Sequence, residues 1–303
     1  MVELVYHYTT IEAFFEMIKK IKWDQIADDH FLTFWASSIY AMNDPQEFMH
    51  GYKILQDSLL PEIERELNIK DNKLKLSNIA KIWGYKDLDK WNKDIIDMIY
   101  TAHDVPFVVS FSRNKDYLPM WKEYTNEGKG VCLCFNNYEY TIKNLENVDV
   151  DIDITHRLHA KDVSYDHADD SIRNALYSIY RRHYSDYCRD NQEIRKQKML
   201  SCFATMAVTV SPYFKHNAYK YENEVRLIEF KKDNNDVNYR FSKHGRLIPY
   251  IEVPVKLQYL NQIIIGPCAD SHSVIRELRT LLSRYKGNEK DFIIPSAISY
   301  REY

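Results

Sequence analysis

Glycine is scarce in this chain, 7 of 303 residues, against a usual share of about 7%. A protein built on several phosphate-cradling loops is therefore excluded. Gly128 and Gly130 open a Gly-x-Gly, but Leu133 stands where the dinucleotide fingerprint needs its last glycine. No Gly-Lys-Ser/Thr occurs, which removes a Walker-type P-loop. Neither HExxH nor GxSxG is present, which removes the zincin and α/β-hydrolase classes. The five cysteines include no CxxC pair and no zinc spacing. They read as reduced, mostly buried thiols of a cytoplasmic protein. The most apolar stretches, such as 203–210 and 263–265, fall far short of 18 residues, so no membrane span is expected. Met1-Val2-Glu3-Leu4 has no basic, apolar leader pattern, so no signal peptide is expected. Charge of one sign is not in excess: 41 Lys and Arg face 44 Asp and Glu, a net charge of −3. A polycationic coat for nucleic acid is thereby excluded.

What is present is ordinary for a globular domain: 45% hydrophobic and 28% charged residues. Tyrosine is plentiful at 24 residues, supplying flat faces with a hydroxyl. No repeat and no Pro/Gly/Ser linker divides the chain. The pattern reads as one α+β domain over 1–303, with helical insertions at 46–103 and 168–210. Strands are expected at 3–8, 30–37, 106–112, 130–135, 161–165, 223–230, 246–253, 259–265 and 291–294. Thr9 and Glu12 suggest a capping box for a helix whose face is Ile11, Phe14, Phe15 and Ile18. Asn43-Asp44-Pro45 is turn chemistry that launches the next helix.

Several clusters carry chemistry. In Glu222-Asn223-Glu224-Val225-Arg226 a strand reading puts both carboxylates and the arginine on one face. The two acids then stand about 6–7 Å apart by strand rise. Like charges that close raise one pKa unless a cation relieves them. A solvent-facing salt bridge explains the same pattern. His7 sits at a strand end beside a helix start, where a structural hydrogen-bonded histidine is the plain alternative. Ser110 and Ser112 alternate onto one face, and Met120, Trp121 and Tyr124 recur at helical spacing suited to a core. Asp44 and Glu47 with Glu224 offer acids to a metal, as a nuclease requires; an Asx cap explains Asp44 equally well. His156, His159 and His167 lack metal-ligand spacing, and no metal is expected there. Arg181, Arg182, Arg189 and Arg195 alternate with Tyr177, Tyr180, Tyr184 and Tyr187. That arrangement suits a single-stranded nucleic acid. An amphipathic helix pair with its tyrosines turned inward accounts for it too.

Taken in order, certain pieces resemble a bacterial family known as domain of unknown function 2971. They are Tyr6-His7-Tyr8-Thr9, Asn43-Asp44-Pro45-x-Glu47, Ser110-Phe111-Ser112, Met120-Trp121-x-x-Tyr124 with Gly130, Glu222-x-Glu224-x-Arg226, Ile265-Gly266-Pro267 and Ser296…Tyr300-Arg301. The order His-Tyr-Thr, Ser-x-Ser, Glu-x-Glu is similar to that of ADP-ribosyltransferases. That resemblance implies a mixed or antiparallel sheet core and an NAD-consuming activity that releases nicotinamide. It also implies a bacterial toxin or phage-defence setting. It gives His7, Tyr8 and Thr9 to NAD, Ser110 or Ser112 to orienting the acid, and Trp121 or Tyr124 to stacking. Glu224 becomes the catalytic acid and Glu222 faces the acceptor, with Arg226 beside them. On that reading Glu224→Gln preserves the fold. The serine motif departs from the family's Ser-Thr-Ser. Two other classes stay open: a nucleic-acid-binding or metal-dependent nuclease-like protein, and a non-catalytic binding or sensor domain whose charges only lock strands.

Overall fold

The computed structural model describes residues 2–23, 30–44, 46–101, 105–138, 160–165, 167–231, 236–242, 245–286 and 289–300. Pro45, His156, His159 and Arg301 lie outside them. The architecture is α+β, with a mixed and mostly antiparallel sheet. The strands are β1 (Val2–Thr9), β2 (Phe31–Ser38), β3 (Pro106–Ser112), β4 (Val131–Tyr138), β5 (Lys161–Asp162) and β6 (Ser164–Tyr165). There follow β7 (Phe214–Lys215), β8 (Glu224–Phe230), β9 (Asn238–Phe241), β10 (Leu247–Lys256), β11 (Leu260–Ile265) and β12 (Ile293–Pro295). The α-helices are α1 (Ile11–Ile18), α2 (Glu47–Ile54), α3 (Leu60–Glu66), α4 (Ile79–Ile82), α5 (Leu88–Thr101), α6 (Leu118–Tyr124), α7 (Asp170–Tyr187), α8 (Gln192–Val210) and α9 (Ser271–Leu281).

The main sheet runs β12-β11-β4-β1-β3-β2-β10-β9; β8 branches from β3, and β5 pairs with β8. Alternation decides which core each side chain joins. Val5, Val131, Leu133, Phe135, Ile263 and Ile265 pack with Phe14 and Ile18 of α1 and Leu278 of α9. Their neighbours Tyr6, Tyr8, Cys132, Cys134 and Ile264 pack on the other face around Met120 and Trp121 of α6. The two helical segments build one layer with its own core, in which Tyr52, Phe203, Met206 and Tyr180 are buried. Tyr180 donates from its hydroxyl to Oε1 of the buried Glu64 (2.9 Å), which ties α7 to α3. Gly51 lets α2 approach closely: a Cβ there would meet the Ser211 carbonyl oxygen at 2.3 Å. That contact sets α2, and with it Glu47, against the segment leading into β7.

Two local expectations change, and one open alternative is decided. Thr10, not Thr9, caps α1, accepting from the Ala13 N–H (3.2 Å), while Thr9 ends β1. Glu222 is not on a strand. It ends a 3-10 turn, and Asn223 takes a left-handed φ of 45° before β8 begins at Glu224. Asparagine tolerates that conformation better than most residues. Tyr177, Tyr180 and Tyr184 of α7 face inward: Tyr180 is fully buried, and the other two pack against the helical core. Arg181, Arg182 and Arg189 are exposed, and Arg195 donates to the Asp190 carbonyl (2.8 Å). The inward tyrosines are therefore withdrawn as a stacking surface for nucleic acid.

Candidate functional site: a split sheet and a buried ion cluster

One edge of β3 is bonded along its length to β8, from Pro106↔Phe230 to Ser112↔Glu224. The opposite edge is shared. β1 meets it at Tyr6↔Ser112, whereas β2 meets it at Ser37↔Val108 and Ser38↔Phe107. Between these points β1 and β2 part company. His7 bridges the gap, with Nδ1 donating to the Ser110 carbonyl oxygen (2.8 Å). Its ring sits against Phe34 and Phe111, with centroids 5.2 and 5.5 Å away. Burial pushes the imidazole pKa down to about 4, against the pull of that carbonyl. The ring is thus neutral near pH 7, and its Nδ1 proton is fixed by the hydrogen bond, which leaves Nε2 as an acceptor.

The split opens into a cavity of about 530 Å³ lined by residues of both faces, including His7, Thr9, Ser110, Tyr124, Glu222 and Glu224. A smaller lobe of about 220 Å³ shares Ser110, Tyr124, Glu222, Glu224 and Arg240 with it and adds Asp44, Glu47 and Lys215. The combination of apolar walls and a few converging polar groups is typical of small-molecule sites.

Beneath the cavity lies a dense ion cluster. Arg226 is wholly buried and grips Glu224 with two hydrogen bonds, Nε to Oε1 (2.9 Å) and Nη2 to Oε2 (2.8 Å). Its Nη1 donates to the Pro212 carbonyl (2.6 Å), and Nη2 also contacts Glu47. Lys215 donates to Glu222 Oε2 (2.7 Å) and to Glu224 Oε2 (2.9 Å). Tyr124 donates to the other Glu222 oxygen (3.2 Å). Burial pushes the Glu224 carboxyl up, but the Arg226 guanidinium and Lys215 ammonium overcome it and hold it at about 2. At Glu222 burial wins over Lys215, and its pKa is raised. The same holds for Glu47, where burial outweighs Arg226. Two adjacent carboxyls are thus driven in opposite directions, the arrangement that separates acid–base roles.

Several residues expected at the site are not in the cavity. Ser112 is fully buried, donating to the Glu222 carbonyl (2.6 Å) and accepting from the Asn114 N–H. Trp121 is fully buried, its indole N–H donating to Asp116 Oδ1 (2.8 Å), so it has no free face for a ligand. Tyr8 borders the cavity, but its ring packs on Trp121 and its hydroxyl is spent on the Asn114 carbonyl and the Tyr117 N–H (2.8 and 3.0 Å). Arg226 stands behind Glu224 and acts on it rather than on a ligand. The acids named for a metal are also engaged, since Glu47 and Glu224 both hold Arg226, whose cation occupies the space between them. Lys215 and Arg240 escaped the sequence reading. Lys215 follows a lone apolar residue in a two-residue strand, and nothing local marks it as buried.

Acid sensitivity follows from His7. Unfolded, the ring takes a proton at about 6.5; folded, only at about 4. Between these values unfolding takes up a proton, so stability falls as pH drops. The thermal midpoint is expected to fall from pH 7.5 to pH 5.0, and His7→Gln to flatten much of that fall. Equal falls in both proteins would refute a buried neutral imidazole.

No curated protein and no solved structure matches the chain. Residues 120–227, from α6 through the first half of β8, match the model of the family described as Protein of unknown function (DUF2971), the family that the ordered motifs resemble.

Proposed function

We propose that the protein cleaves the N-glycosidic bond of NAD, releases nicotinamide and passes the ADP-ribosyl group to an acceptor or to water. The observation that carries this reading is the single cavity shared by neutral His7 and the Glu222/Glu224 pair. A sheet that splits to admit a ligand needs no glycine-rich loop, which agrees with the scarcity of glycine. The resemblance to ADP-ribosyltransferases rests on the order of the sequence motifs, and the shared cavity supports the reading.

The chemistry distributes as follows. The bond between ribose C1′ and the pyridinium nitrogen breaks with its electron pair going to nitrogen, so nicotinamide leaves neutral and needs no acid. Positive charge develops on the sugar. Glu224, locked by Arg226 and Lys215, is a rigid acceptor for a ribose hydroxyl. Its charge is largely offset by those two cations, so it positions more than it stabilises. Among the described residues the Glu222 carboxyl is bound by Lys215 and Tyr124, and it has the higher pKa. It faces the developing charge and accepts the proton of the incoming hydroxyl. This reverses the weight that the sequence placed on the two acids. His7 Nε2 accepts from the carboxamide or a ribose hydroxyl.

The test is incubation of the purified protein with NAD and chromatographic detection of free nicotinamide. Absence of release across pH 5–9, with and without candidate protein acceptors, would end the proposal.

A further inference from the structure

Among the described residues, Arg240 is a cation without a counter-ion. It lies on β9, opposite Ile248 of β10, and lines both lobes of the cavity. Its Nη2 donates to the Ser37 hydroxyl (3.0 Å), and this is its sole hydrogen bond among the described residues. Its Nε is buried and has no partner. No described carboxylate pairs with it, whereas Lys215 and Arg226 beside the cavity each have one. Burial pushes its pKa down, with only Tyr250 opposing. A guanidinium held in this way, with its buried Nε left without an acceptor, is an incomplete anion site. Beside it, Phe241 is 74% exposed yet lines the same cavity, which leaves a flat apolar ring at the mouth.

We infer that Arg240, steadied by Ser37, is the phosphate-binding group of the cleft, so that the ligand is a phosphorylated ribosyl compound with its sugar toward Glu222 and Glu224. This deepens the proposed function and rests on its placement of the sugar, but the phosphate site itself needs no turnover. Glu222, Glu224 and Arg240 line both lobes of the cleft. Sugar hydroxyls donate to the carboxylates, whereas the guanidinium favours only an acceptor. Arginine offers a planar fork that matches two phosphate oxygens; lysine offers a point charge.

Calorimetric titration with inorganic pyrophosphate, ADP-ribose and adenosine tests the inference on the intact protein. The parent is expected to bind ADP-ribose at least tenfold more tightly than adenosine, and to bind pyrophosphate measurably. Arg240→Gln keeps a donor to Ser37 and is expected to erase that preference; Arg240→Lys is expected to keep part of it. Equal affinity of the parent for ADP-ribose and adenosine, or no binding of any probe, overturns the assignment without help from a variant. So does an undiminished preference in a folded Arg240→Gln protein. If the preference depends on Arg240 but nicotinamide is never released, the phosphate site stands and the NAD-cleaving reading falls.

Discussion

Glu222→Gln is expected to slow nicotinamide release by roughly 10²–10⁴-fold, the usual contribution of a positioned proton acceptor, while leaving the thermal midpoint close to that of the parent. The amide oxygen still accepts from Lys215, and the amide N–H₂ donates to Tyr124, so both contacts of the buried side chain survive. Lys215 also keeps Glu224 as its counter-ion. Glu224→Gln is expected to behave differently. It removes the anion shared by Arg226 and Lys215, so activity and stability fall together. The expectation that this substitution preserves the fold does not survive the sight of two buried cations on one carboxylate. Nicotinamide release and thermal melts on both variants separate the roles. A Glu222→Gln protein that works at the parental rate would leave the cluster as a purely structural lock.

Arg226→Met is expected to cost about 3–5 kcal/mol, the range for breaking a buried pair and stranding its partner. For a chain of this length that corresponds to a fall of about 5–8 °C in the melting midpoint. The arginine is fully buried, sits between Glu224 and Glu47, and also satisfies the Pro212 carbonyl. Methionine fills the volume but leaves two carboxylates facing each other. The pH response gives a sharper readout than the midpoint. In the parent, the depressed pKa of Glu224 contributes stability above about 4.5 that is lost toward about 2. Without Arg226 both carboxyls have raised pKa values. The folded variant then binds more protons than its unfolded chain, and acidification from pH 8 to 5 stabilises it relative to the parent. Denaturant melts at the two pH values measure this. A variant whose deficit grows with acid would show that Arg226 is not what holds those anions.

Much of the fold was readable because it depends on local periodicity. β3 and β4 announce themselves by β-branched and aromatic runs, and α8 by its apolar positions. The shared face of Glu224 and Arg226 follows from alternation along β8. The misreadings have a common origin. Glu222 was placed on the strand because no alternation rule anticipates the left-handed Asn223, though an Asn between two acids is a usable signal. Ser112 and Trp121 carry hydrogen-bonding groups that suit a ligand equally well, and only packing shows them spent on the chain itself. Lys215 looks like any surface lysine until α2, β7 and β8 enclose it.

The amino-acid sequence determined the α+β composition, the faces of its strands and the presence of an acid–arginine motif, because each depends on neighbours a few positions apart. The tertiary structure alone decided that β1 and β2 diverge on one edge of β3, so that His7 from one face and Glu224 from the other open onto a common cavity. It also decided which charges are neutralised there. Pairing depends on distance through space, and Lys215, Glu47 and Arg226 come together only when helix and sheet pack.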